Sequence, residues 1–295
     1  MKKILLGIVF LSCISSVFCT DVEKYSFITK LFKEENIGKE IRYHSDRKLS
    51  FTIPSIGYVK YVSSFNESIK YVGKKGKFHI IESTLTEMKT ENFVANVEIM
   101  DYYWQAMEGI PCRLYIERYG TVDHIETIKE EHDYLLEAFE GAYNGMFEKN
   151  YIYPLYTRVE AMGLKPLGKK IGESWTGDTD SSKFYFTMNS PPSFAWIEDT
   201  YKLKKVKDRR GIKIATIEES ATLLLDVNIM INILGEDRFI QGRAKGTLDG
   251  IWKWDVEAGN VISARSISNL QGDFEMDDET FFSKLSREET FKLLK

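Results

Sequence analysis

Two stretches of this chain open alike and continue alike, and that internal repetition restricts its fold more than any other feature. NIGKEIRYHSDRKLSFTI from Asn36 and KIGESWTGDTDSSKFYFTM from Lys170 each start near an Ile-Gly pair and run into a Phe-Thr-Ile or Phe-Thr-Met strand. SIKYVGKKGKFHIIES from Ser68 and YKLKKVKDRRGIKIATIEES from Tyr201 each carry a basic turn ending in glycine (Gly76, Gly211), then an alternating apolar strand. VEIM at Val97 matches VNIM at Val227, and ERYGTVDHI from Glu117 matches DVEAGNVIS from Asp255, with turns at Gly120 and Gly259. Matches that keep their order at a nearly constant offset predict a duplicated β module.

The strands themselves are legible. Phe93, Ala95, Val97 and Ile99 alternate with Val94, Asn96, Glu98 and Met100. Val227, Ile229, Ile231 and Ile233 alternate with Asn228, Met230, Asn232 and Leu234, and Ile212 and Ile214 alternate with Lys213 and Ala215. A period of two with one wet face predicts antiparallel strands packed on one side. Aromatic residues make up 13% of the chain, which suits pleated surfaces. The expected fold is therefore mainly β, an antiparallel curved sheet or half-barrel built from two related halves.

Helical spacing predicts three further elements. Val22, Tyr25, Ile28 and Leu31 form one stripe, and Leu135, Phe139, Ala142, Tyr143 and Met146 form another on a linking helix. The carboxy end, SKLSREETFKLLK, has Ser286 followed three later by Glu289, a capping-box pattern that predicts a short terminal helix. The expected organisation is a leader over 1–19, a helix and first β repeat over 20–128, a linking helix and loop over 129–168, and the second repeat with its terminal helix over 169–295.

The leader is MKKILLGIVFLSCISSVFCTD: Lys2 and Lys3, an apolar stretch from Ile4 to Phe18, then small residues at Val17 and Cys19. This predicts a signal peptide cleaved between Cys19 and Thr20, and hence a periplasmic or extracellular protein. No second stretch approaches membrane-spanning length, so no transmembrane segment is expected in the mature chain. Cleavage removes two lysines and no acid, leaving 38 basic against 44 acidic residues, which gives no electrostatic case for nucleic acid. Only Cys112 survives cleavage; it shares the apolar side of a strand with Leu114 and Ile116 and is expected to be a buried core residue.

No catalytic, metal or cofactor motif stands out. His124 and His132 lie near Glu126, Glu130 and Glu131, but across a strand-to-helix junction, where ligands would not converge. GESWTG lacks the spacing of a nucleophile elbow, and GDTDSSK lacks the glycine and closing glutamate of a calcium loop. The aromatic pairs Tyr102 with Trp104, and Trp252 with Trp254, each share a strand face and are the candidate ligand contacts.

The run from Pro166 to Trp175 (P-x-G-x-x-x-G-E-S-W), the Tyr201-x-Leu203 strand, Gly242 with Gly246, and the Asp255 to Gly259 hairpin together resemble a family of exported bacterial β-rich proteins of unknown function. The resemblance implies a curved antiparallel sheet similar to the half-barrels of periplasmic lipoprotein carriers. It brings no activity and no functional residue. Together these readings predict a non-enzymatic binding protein of the cell envelope, a carrier of a hydrophobic or lipid ligand. The alternative is a surface module that binds protein or glycan, which requires Trp252 and Trp254 to be exposed.

Overall fold

The structure, a computed structural model, describes Lys24 and residues 31–53, 57–92, 106–116, 122–135, 168–177, 180–184, 193–233 and 236–294. Among the described residues, twelve strands form one antiparallel curved sheet. They are β1 (Glu40–Ile53), β2 (Gly57–Lys75), β3 (Phe78–Asn92), β4 (Pro111–Ile116), β5 (Val122–Thr127), β6 (Ser174–Thr176), β7 (Asp180–Phe184), β8 (Ser193–Arg209), β9 (Ile212–Ile233), β10 (Glu236–Asp255), β11 (Asn260–Met276) and β12 (Glu279–Leu293). The order across the sheet is β5-β4-β3-β2-β1-β12-β11-β10-β9-β8-β6, with β7 also on β8. β5 and β6 end the order without pairing to each other, so the sheet stays open.

Tight turns explain the long hairpins. Arg210 and Gly211 both have positive φ (57° and 79°), as do Asp277 and Asp278 (53° and 64°). Two such residues in a two-residue loop match the right-handed twist of the strands they join. At the β10–β11 reversal, Gly259 has φ 68° and its N–H donates to the Asp255 carbonyl at 2.9 Å. The Asp255 carboxylate accepts the N–H groups of Glu257 and Ala258, which fixes the turn.

The two Ile-Gly pairs make the same local structure. Gly38 and Gly172 have φ 82° and 89°, and their N–H groups donate to the carbonyls of Tyr71 and Leu203. Lys39 and Glu173 close the turns onto Asn36 and Lys170. The strands after these turns differ: β1 pairs with β2 along its whole length, whereas β6 holds three residues on β8. The VEIM stretch and Gly120 lie outside the described residues.

One face of the sheet is buried and the other is wet. Tyr43, Phe65, Ile69, Ile81, Leu114, Tyr201, Leu203, Ile217, Trp252 and Phe291 belong to one cluster on the inner face. The outer face carries cross-strand ion pairs such as Arg243 with Asp226 and Arg265 with Glu288. Cys112 is fully buried on the inner face, as its alternation with Leu114 and Ile116 predicts. Only the start of β9 faces the opposite way from its apparent pattern: Ala215 is buried and Ile212 exposed, whereas Val227 is buried as its own alternation predicts.

The terminal helix is overturned. Residues 279–293 form β12, in the middle of the sheet between β11 and β1. Leu285, Arg287, Glu289, Phe291 and Leu293 all face inward, and the charged pair among them hides the period of two. Of the linking helix, Glu130–His132 form a 3-10 turn and helical residues follow from Asp133; Phe139, Ala142, Tyr143 and Met146 lie outside the described residues. Leu31 is buried in the core ahead of a 3-10 turn at Glu34–Asn36, and the rest of that stripe lies outside the described residues. Among the described residues, no helix is long and apolar enough to cross a membrane.

Candidate functional site on the inner face of the sheet

Strand register places a continuous row of mostly polar side chains across the inner face. Tyr201 on β8 pairs with Glu219 on β9, which pairs with Gly250 on β10, which pairs with Ser266 on β11. Ser266 pairs with Glu289 on β12, Glu289 with Arg47 on β1, and Arg47 with Ser63 on β2. Each side chain in this row from Tyr201 to Ser63 is buried. Burying so many polar groups is tolerated only with hydrogen bonds or opposite charges at hand.

Those partners exist. The Trp252 indole N–H donates to Glu219 Oε2 at 2.8 Å. The Tyr201 hydroxyl lies 3.4 Å from Glu219 Oε1 and 3.3 Å from Asp199 Oδ2. On the other wing, Glu289 Oε1 takes the Arg287 guanidinium, with the Arg47 Nε at 3.5 Å. The Arg47 guanidinium also sits over the Phe65 ring, 5.0 Å from its centroid.

On one side of the row the adjacent register is apolar: Leu203, Ile217, Trp252, Ala264 and Phe291, leading through Ser45 to Phe65. This is the sealed main core. One register further in lies Glu67, whose Oε1 accepts the Ser83 hydroxyl at 2.9 Å. Burial pushes its carboxyl up to about 7, against the lowering pull of the Ser83 bond and Arg47. Burial likewise raises the hydroxyl of Tyr43, its cross-strand neighbour.

On the other side, a second apolar cluster is formed by Ala221, Leu223, Ala244, Leu248 and Leu270. Ile197, Leu225, Phe274 and Leu285 pack around it and are only half-buried, so this trough opens toward the far ends of the strands. Among the described residues the second cluster is drawn from β8 to β12 alone, a single layer of one sheet. A sheet face of this kind requires a second layer against it.

The floor of the trough contains Gly242, Gly246 and Gly272. A Cβ at Gly246 would stand 1.8 Å from the Asn269 carbonyl oxygen, and one at Gly272 would stand 1.9 Å from that of Arg243. These glycines let β10 and β11 coil against each other where a side chain would collide.

The candidate ligand residues divide. Trp252 and Trp254 are 0% and 1% exposed, inside the main core. That corrects the exposed placement required by the surface-module reading, which loses its main support. Tyr102, Trp104, Cys19 and Thr20 lie outside the described residues. His124 meets two carboxylates, Asp123 at 2.8 Å and Glu126 at 3.7 Å, but on the open outer face of edge strand β5, where it is 42% exposed. Its ring stacks on Tyr115, with centroids 4.1 Å apart. The polar row and the trough escape a reading of the sequence; the one available signal is Gly242 and Gly246 four apart within an otherwise regular strand.

No family model matches the chain, and no curated protein matches it. Among solved structures it is similar to one described as lipid–protein interactions in lipovitellin, at 13% identity and a TM-score of 0.45. The match covers 90% of this chain and 25% of that one, so the chain spans about a quarter of its length.

Proposed function

We propose that this chain is an exported, non-enzymatic binding protein that holds a hydrophobic ligand, a lipid or acyl chain, against the inner face of its sheet. The observation that carries this reading is the second apolar cluster. It lies past a buried polar row, is drawn among the described residues from one layer, and is half-buried at Ile197, Leu225, Phe274 and Leu285. The row separates a core that is closed from a surface that is apolar and reachable. A ligand laid there removes apolar area from water at about 25 cal/mol per Å2. The leader ending at Cys19 supports a location in the periplasm or outside the cell, in contact with envelope lipid or an envelope protein partner.

Native mass spectrometry of the chain beginning at Thr20, purified from an exporting host and followed by solvent extraction, tests this. A stoichiometric lipid is the expected result. Phe274→Asp, which introduces a charge at a half-buried position of the trough, is expected to abolish that adduct while the protein stays folded. A protein that emerges without ligand and takes up no added oleate would end this reading.

A further inference from the structure

The turns at the two ends of the strands differ in charge. The β2–β3 and β8–β9 turns lie at one end, together with the start of β1 and the end of β12, and the β11–β12 turn lies at the other. Lys74, Lys75 and Lys77 surround Gly76, all exposed, with no acid between Glu67 and Glu82. The Lys75 and Lys77 ammonium groups lie over the Tyr115 and Phe78 rings, which hold them at the tip and leave their charge in place. The β8–β9 turn exposes Lys205, Lys207, Arg209 and Arg210 against Asp208. Between these two turns the end is mixed: Glu40 pairs with Arg42, and the Asp255 carboxylate is held by its own turn. Asp277, Asp278 and Glu279 are exposed at the opposite end. The whole chain has a formal charge of −4, so its bulk charge repels an anionic surface, and only this separation gives it an attractive end.

Apolar residues sit among the cations. The two Ile-Gly turns place Ile37 and Ile171 beside these hairpins, since the Gly38 and Gly172 N–H groups donate to Tyr71 on β2 and Leu203 on β8. Each of those strands shifts register just past that bond, between Tyr71 and Gly73 and between Leu203 and Lys205. Ile37 and Ile171 are 53% and 52% exposed, and Ile212, next to Gly211 at the β8–β9 turn, is 44% exposed. One exposed isoleucine is ordinary. Three at the end that carries the cations make the combined apolar and basic pattern that partitions into a lipid headgroup layer. A soluble polyanion would give the lysines a partner and the isoleucines nothing.

We infer that this end of the sheet docks on an anionic lipid surface, with Ile37, Ile171 and Ile212 in the headgroup layer and the cations of the two hairpin turns on its phosphates. The trough opens toward the opposite end, so docking keeps it clear of that surface and does not rest on a ligand there.

The test is sedimentation of the chain beginning at Thr20 with vesicles of phosphatidylcholine alone, and with vesicles of phosphatidylcholine and phosphatidylglycerol in equal parts. Binding to the anionic vesicles alone, weakened by salt, is expected. Lys74→Gln, Lys75→Gln and Lys77→Gln together should weaken it on the order of 100-fold, at about fivefold for each cation near such a surface. Lys89→Gln, Lys245→Gln and Lys284→Gln together make the same charge change at exposed positions along the strands and should cost far less. Ile37→Ser with Ile171→Ser should weaken vesicle binding about tenfold, the worth of partly burying an isoleucine side chain, and leave binding to soluble dextran sulfate unmoved. No binding to anionic vesicles, equal losses from the two lysine triples, or vesicle binding indifferent to the isoleucine pair would each overturn the proposal, the last by making this end a site for soluble polyanions. Phe274→Asp, which empties the trough, should leave vesicle binding intact. If that variant no longer sediments, the protein meets the bilayer through its trough and the docking end falls, while the lipid adduct, read by mass, is judged on its own.

Discussion

Glu67 carries a carboxyl group into the apolar side of the sheet, 1% exposed, between Tyr43 on β1 and Leu85 on β3. Its carboxyl ionises near 4.5 when exposed and at about 7 when folded, because burial penalises the charge. Between those values the folded chain binds more protons than the unfolded one, so stability falls as pH rises through that window. The contribution is fully present below about pH 4.5 and gone above 7, an effect on the order of 3 kcal/mol. Glu67→Gln should therefore leave stability at pH 5 little changed and raise it at pH 8, as read by urea unfolding. Parallel pH profiles for the two proteins would show that Glu67 is not the group responsible. Trp252 offers a second check on buried polarity. Trp252→Phe removes the donor to Glu219 Oε2 and part of a fully buried ring. Loss of about 2–4 kcal/mol is expected from the stranded carboxylate and the cavity together. Glu219→Gln, which retains an oxygen to accept the indole N–H, should cost less in the same assay.

Along β10, the spacing of glycines separates two kinds of close approach. At Gly246 the nearest atom to an added Cβ is a backbone oxygen of β11, which cannot move without breaking the ladder. At Gly250 it is Glu219 Oε2, 2.2 Å away, on a side chain that can rotate. Gly246→Ala is expected to cost about 3 kcal/mol or more, and Gly250→Ala about 1–2 kcal/mol through the displaced Glu219 bond. Thermal unfolding of the two variants side by side checks the order. Turns and strand identity could be read in the sequence because Gly76, Gly211 and Gly259 supply positive φ, and apolar residues recur every second position. β12 could not, because Arg287 and Glu289 occupy inward positions that a lone strand would fill with apolar residues. Their reason is in neighbouring strands, at Arg47 and Ser266, far away in the chain. The whole polar row shares this property: each strand gives it one residue, so no single stretch reveals it. Trp252 and Trp254 look like surface aromatics beside a turn, yet β9 and β11 on either side bury them.

The connectivity of the sheet decides how its parts depend on each other. Most pairings join strands that are close in sequence, from β1–β2 to β4–β5 and from β8–β9 to β11–β12. Among the described residues, the β1–β12 pairing alone spans the chain, matching Tyr43 with Leu293 through Ser50 with Ser286. The polar row crosses this seam at Arg47 and Glu289, and Leu294 donates its N–H to the Arg42 carbonyl at the seam's end. Loop closure over such a separation is entropically costly, so the seam forms late and its contacts must be made together. A chain ending at Asp278 would lose β12 and expose a long inner edge on both β11 and β1. Unpaired edges of that length template association between chains. The expected result is loss of the single cooperative unfolding transition, with aggregation at micromolar concentration, followed by circular dichroism and light scattering. Arg47→Met with Glu289→Leu, which keeps the seam but replaces its ion pair by apolar groups of similar size, should keep one transition, because a buried pair contributes little beyond such a replacement. If the truncated chain unfolded in one step at the temperature of the full chain, strands β1–β5 and β6–β11 would have to be joined elsewhere than at β1 and β12.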